Sequence, residues 1–122
     1  MNGNQNEQIS RLTVQIAFLS AIIFAVSLSI SAILMYINII NNPYNIKSKL
    51  KKIYKISILA SIIFLICNIY FFILSYDDYK NEQSKATFDY YEANVLSLTA
   101  QSIRFNTLLK YPERILGAED II

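Results

Sequence analysis

The sequence predicts an all-α membrane protein: a hairpin of two transmembrane helices, then an amphipathic helix, assembled as a homo-oligomeric helical bundle. Three observations predict this class. No charged residue stands between Arg11 and Lys47, a second uncharged apolar block lies between Lys55 and Asp77, and apolar residues follow a seven-residue pattern from Phe88. A bilayer core about 30 Å thick needs roughly 20 helical residues, so both blocks are long enough to cross it. The 54% apolar content of the 122 residues therefore indicates two spans rather than a soluble core.

The first span is expected at residues 12–40, after a polar segment at residues 1–10. Small and hydroxyl side chains recur along it mainly at every fourth residue, and large apolar side chains fill roughly the opposite third of the helix. The small face suits close approach of a second helix or a narrow polar lumen. It is broader than one neighbour could cover, which predicts an oligomer. The positions assigned to helix packing or a pore are Ala17, Ser20, Ala21, Ala25 and Ser29.

A basic connection is expected at residues 41–55. The cluster from Asn41 to Pro43 predicts a turn, and a helix is expected from about Ile46, running directly into the second span. Lysine-rich short loops stay in the cytoplasm, so this connection is expected there, with both termini outside the cell membrane. The same lysines could instead dock on anionic lipid headgroups. They are Lys47, Lys49, Lys51, Lys52 and Lys55.

The second span, residues 56–76, completes a hairpin of residues 11–76 and carries a polar stripe. Asn68 lies near its middle, where an unpaired amide is costly, so it is expected to face protein or water. Two interpretations fit: hydrogen bonds between packed helices, or the lining of a pore. Asp77 and Asp78, at the membrane interface, are either an anionic vestibule or ordinary solvated charges. The other assigned positions are Ser57, Ser61 and Ser75.

Residues 77–122 predict a polar junction, an amphipathic helix at about residues 86–111 and a short tail. Asp89 followed by Glu92 resembles a capping box and predicts a new helix start there. The apolar stripe either joins subunits as a coiled coil or folds back on its own hairpin. The helix could also receive a regulatory partner. The stripe consists of Phe88, Tyr91, Val95, Leu98, Phe105 and Leu109, with Ser102 as its polar member.

Composition argues against several classes of function. The chain has no histidine, a single cysteine and two glycines, so no catalytic centre, cofactor site or metal site is expected. A net charge of +2 is too small to indicate nucleic-acid binding. The expected partners are the lipid bilayer and further copies of the chain.

The layout resembles that of SLATT-type two-transmembrane effectors, which accompany nucleotide-signalling defence genes in bacteria. The features compared are the polar start at Met1–Ser10, the short connection at Asn41–Lys55 and the helical tail at Phe88–Lys110. The resemblance implies pore formation or depolarisation of the bacterial inner membrane in antiviral defence, upon a signal. The residue patterns themselves predict a small channel-forming protein. The alternatives are a non-catalytic accessory or anchoring subunit of a larger membrane complex, and a phage holin.

Overall fold

The computed structural model describes residues 3–111, and within them the fold is entirely helical. Helix α1 covers Gly3–Asn41, α2 covers Ile46–Asn81 and α3 covers Lys85–Lys110. Both α1 and α2 are long and apolar enough to cross a membrane. The three helices run antiparallel in chain order, with α1 packed on one side of α2 and α3 on another.

The helices extend beyond the apolar spans. Helix α1 already includes most of the polar start of the chain, and α2 begins at Ile46, so the lysines occupy its first turns. Between α1 and α2, Asn45 adopts a left-handed conformation with φ of 58°, which asparagine tolerates better than most residues. The Lys49 ammonium donates to the Asn42 carbonyl oxygen at 3.2 Å and lies 5.1 Å from the centre of the Tyr44 ring. These contacts close the turn.

The interface between α1 and α2 follows a seven-residue repeat on both helices. Ala25, Ala32 and Ile39 are buried on α1, seven residues apart, and the positions between them that face α2 are half-buried. This spacing is typical of helices that pack at a small left-handed crossing angle. Alanines at the contact allow the two backbones to approach closely. The buried residues on α2 that share this period are Ile53, Ala60, Cys67 and Leu74.

Helix α3 begins at Lys85, where Ser84 acts as its N-cap. The Ser84 hydroxyl accepts from the Thr87 backbone N–H at 3.2 Å, and the Thr87 hydroxyl oxygen accepts from the Ser84 N–H at 3.0 Å. Asp89 and Glu92 therefore lie inside the helix, and the capping box expected there is wrong. The Ser84–Thr87 pair satisfies unpaired backbone N–H groups at the true helix start, five residues before Asp89.

Aromatic rings join α3 to the end of α2. Tyr79 lies 5.6 Å from Phe88, and Tyr91 lies 5.8 Å from Tyr76 and 5.7 Å from Phe72, measured between ring centres. Helix α3 then follows α2 back along its apolar length.

Candidate functional site

The small residues of α1 divide between the α1–α2 interface and an exposed face. Ala25 is buried against α2, and Ser29 and Ala21 are half-buried beside it. Ala17 and Ser20 are exposed. Part of the predicted small face thus packs against α2, and part of it has no neighbour within the described chain.

The exposed part is a stripe of hydroxyl side chains, which we call the outer hydroxyl stripe. At 100° per residue its members lie within about 40° of one another, away from both α2 and α3. The Thr13 hydroxyl donates to the Ile9 carbonyl oxygen at 2.8 Å, and the Ser27 hydroxyl donates to the Ile23 carbonyl oxygen at 3.0 Å. Their hydrogens are used inside the helix, while their oxygen lone pairs remain free to accept. The stripe consists of Thr13, Ser20, Ser27 and Ser31, all exposed.

The polar stripe of α2 faces α3 and the edge of α1. Asn68 donates from its amide nitrogen to the Phe64 carbonyl oxygen at 2.8 Å, so its hydrogen bond stays within α2. Ser57 and Ser61 are half-buried, and Ser75 is fully buried and donates to the Phe72 carbonyl oxygen at 2.9 Å. These two hydrogen bonds satisfy the Asn68 amide nitrogen and the Ser75 hydroxyl within α2 itself.

A groove runs along α2 between α1 and α3, and we call it the α1–α3 groove. One cavity in it, of about 450 Å³, is lined by Ser57 and Ser61 of α2, by Ser29 of α1, and by Gln101 and Arg104 of α3. A second cavity, of about 420 Å³, continues it to Asn68. Sequence reasoning missed Gln101 and Arg104. The available signal was their spacing of three residues on α3, together with an arginine that interrupts an otherwise uncharged stretch at residues 93–109.

The acids at the end of α2 have different surroundings. Asp78 forms an ion pair with Arg11 of α1, in which both side chains are partly exposed. Asp77 is exposed and has no ion pair within residues 3–111. Only one of the two acids therefore carries an unbalanced charge at this end of the helices.

The apolar stripe of α3 contacts α2 along only part of its length. Tyr91, Val95, Leu98 and Phe105 are half-buried, whereas Phe88 and Leu109 are 43% and 50% exposed. Towards the end of α3 the buried positions are Gln101 and Leu108. They stand one residue before the expected Ser102 and Leu109. The stripe therefore lies against the chain's own α2, with its last turns rotated from the expected face.

No cluster of three potential metal-binding side chains occurs among the described residues. Comparisons with protein families, curated proteins and solved structures find no match for this chain.

Proposed function

We propose that this chain is a small oligomeric membrane protein that forms a cation-permeable pore and thereby depolarises the membrane. The outer hydroxyl stripe carries the proposal. It lies on one of the two helices that are apolar enough to cross a membrane, within a segment that has no charge between Arg11 and Lys47. Neither α2 nor α3 covers it.

The stripe has the chemistry of a cation path rather than an anion path. Because Thr13 and Ser27 donate their hydrogens to their own helix, each presents an oxygen outward. Oxygen lone pairs can replace part of the hydration shell of a cation. In a ring of subunits, α1 would turn this stripe to the shared axis and keep its large apolar face in lipid.

The charges at the two ends of the hairpin support this arrangement. Asp77, exposed and without an ion pair in the described chain, would place one acid per subunit at one mouth, where rings of acids favour cations. The lysines of the first turns of α2 lie at the opposite end, and lysine-rich segments stay in the cytoplasm. We therefore place the start of α1 outside and the start of α2 in the cytoplasm.

The end of α3 belongs on the cytoplasmic side in this proposal. Leu108 lines a cavity together with Ile53 and Ser57, next to the lysine-bearing turns. The sequence alone predicted both termini outside. The antiparallel packing of α3 supports instead a chain whose α3 returns to the side of the basic connection.

The test combines the mass of the purified protein in detergent with ion flux in liposomes. We expect a monodisperse homo-oligomer that conducts K⁺ in preference to Cl⁻, and we expect Ser27→Leu to reduce the flux. Val26→Leu is the matched control, because Val26 is 43% exposed on the large apolar face, about 100° around the helix from Ser27. Its flux should equal that of the unmodified chain.

A monomer in detergent, or an oligomer without flux, would contradict the proposal. So would equal flux in Ser27→Leu and the unmodified chain.

The other candidate functions use the same exposed face differently. An accessory or anchoring subunit would purify with an unlike membrane chain on that face. A holin would lyse cells only when an endolysin is present. A defence effector would depolarise cells only when its signal is present.

A further inference from the structure

The α1–α3 groove contains two polar groups for which residues 3–111 provide no partner. Gln101 is only 7% exposed, and no hydrogen bond joins its side chain to another residue within 3–111. Gln101 lines both cavities in the groove. Arg104, one turn further along α3, lines the same two cavities and has no acidic partner among the described residues. The Arg104 guanidinium only donates, and the Gln101 amide nitrogen donates beside an accepting oxygen, so this wall is suited to an anion.

The groove is elongated, and apart from Ser29, Ser57 and Ser61 the α1 and α2 residues that line its first cavity are apolar or aromatic. Its two cavities share Phe64, Gln101 and Arg104, and together they extend along α2 from Ile53 to Asn68. At 1.5 Å per residue this distance is about 22 Å. The volume of each cavity is in the range that binds small molecules, and both cavities open to the outside of the helices. A long apolar groove with donors on one wall fits a ligand with an acidic head and a hydrocarbon chain.

We propose that the α1–α3 groove binds one anionic phospholipid, with its phosphate hydrogen-bonded to Arg104 and Gln101 and one acyl chain along the apolar walls. Arg104 carries a permanent charge and the Gln101 amide supplies a second donor, so the phosphate would satisfy both. Serine hydroxyls at positions 57 and 61 line the same cavity and can donate to the remaining phosphate oxygens.

Charge at this end of the molecule favours a lipid headgroup. Lys110 follows Arg104 by six residues, about 9 Å along the helix, and Ile53, which lines the groove, lies between Lys52 and Lys55 of α2. The long arginine side chain can extend towards the headgroup level from within the apolar layer. Anionic lipids are enriched in the cytoplasmic leaflet, where the proposed function places these lysines. The inference therefore depends on the proposed membrane location and orientation, and it does not depend on ion conduction.

The experiment measures which lipids remain bound to the full-length chain by native mass spectrometry. The protein is reconstituted in nanodiscs that contain phosphatidylglycerol and phosphatidylcholine in equal amounts, and then released into detergent. We expect the unmodified chain to retain phosphatidylglycerol preferentially, and Arg104→Gln to lower this retention about fivefold, the effect of one basic residue near a membrane surface. Gln101→Leu, which keeps similar volume without a donor, should also lower it.

Lys80→Gln is the matched control. It removes the same charge as Arg104→Gln, but Lys80 is exposed at the opposite end of α2. It should retain the lipid as the unmodified chain does. Circular dichroism of each variant in detergent checks that the helices remain folded. Equal retention of both lipids, or equal loss in Arg104→Gln and Lys80→Gln, would overturn the proposal.

Inorganic phosphate is added to protein in phosphatidylcholine nanodiscs to separate a lipid from a free anion. The measured quantity is the midpoint temperature of thermal unfolding of the protein. If phosphate alone raises it as much as phosphatidylglycerol does, the groove is a site for soluble anions and the lipid assignment is wrong. Lipid retention without ion flux would contradict the proposed function and support this site. Ion flux without preferential retention of phosphatidylglycerol would support the proposed function and contradict this lipid site.

Discussion

Replacing Ala25 by leucine is expected to open the contact between α1 and α2. Ala25 is 0% exposed, so the three added carbon atoms must displace α2 or strain their own rotamer. Overpacking of this kind costs about 1–3 kcal/mol. A membrane span gains little in return, because lipid chains are as apolar as leucine and burial in the interface removes no water. The equilibrium constant for separation of the two helices should therefore rise about 5- to 150-fold.

Cys67 provides the assay for this change. It is the only cysteine of the chain and is 1% exposed, and its sulfur lies 3.6 Å from the Phe18 carbonyl oxygen of α1. A small thiol reagent can reach it only when α1 moves away. The rate of Cys67 modification in detergent is therefore proportional to the open population, and Ala25→Leu should raise that rate by the factor given above.

Ala17→Leu is the control for this experiment. It makes the same substitution on the same helix at an exposed position, and it should leave the Cys67 rate unchanged. The reasoning is refuted if Ala25→Leu reacts at the rate of the unmodified chain. It is also refuted if Ala17→Leu accelerates the reaction equally, because the effect would then not arise at the α1–α2 interface.

Two further predictions concern the helix ends. Arg11→Ala should raise the Cys67 rate modestly, since a partly exposed ion pair with Asp78 contributes about 0.2–1 kcal/mol. The difference should shrink in high salt, whereas a salt-independent difference would contradict an electrostatic cause. Ser84→Ala should lower the thermal midpoint of α3 unfolding, followed by circular dichroism, because loss of an N-cap costs about 1 kcal/mol. Ser102→Ala, at an exposed position inside α3, should have no such effect, and equal shifts in both variants would argue against a capping role.

The number of apolar spans could be predicted from the sequence, but their contact faces could not. The small residues of α1 recur mainly every four positions, and in a helix with 3.6 residues per turn such a series drifts by about 40° at each step. A left-handed contact needs a period of 3.5. The series therefore leaves the α1–α2 interface, so that Ala25 is buried and Ala17 is exposed. The repeat through Ala32 and Ile39 was present in the sequence but is less conspicuous.

The neighbour of the α2 stripe could not be predicted for a different reason. The spacing of Ser57, Ser61 and Asn68 indicates a helix contact and carries no information about which helix makes it. Helix α3 provides that contact. Because α3 packs there, its donors Gln101 and Arg104 lie in the groove beside the α2 stripe. The cap of α3 was expected at Asp89 and not at Ser84, because the reciprocal cap at Ser84 uses a threonine where the usual motif has an acid or amide.

The charged residues within α3 have a consequence for biogenesis. Within the described residues, only α1 and α2 are long and apolar enough to cross a bilayer. Helix α3 lies along the same apolar length of α2, yet Asp89, Glu92 and Arg104 interrupt its own sequence. If α2 is in the bilayer, α3 enters it by associating with a helix that is already inserted. The translocation machinery would then recognise two segments of this chain, and the third would reach its depth only through folding.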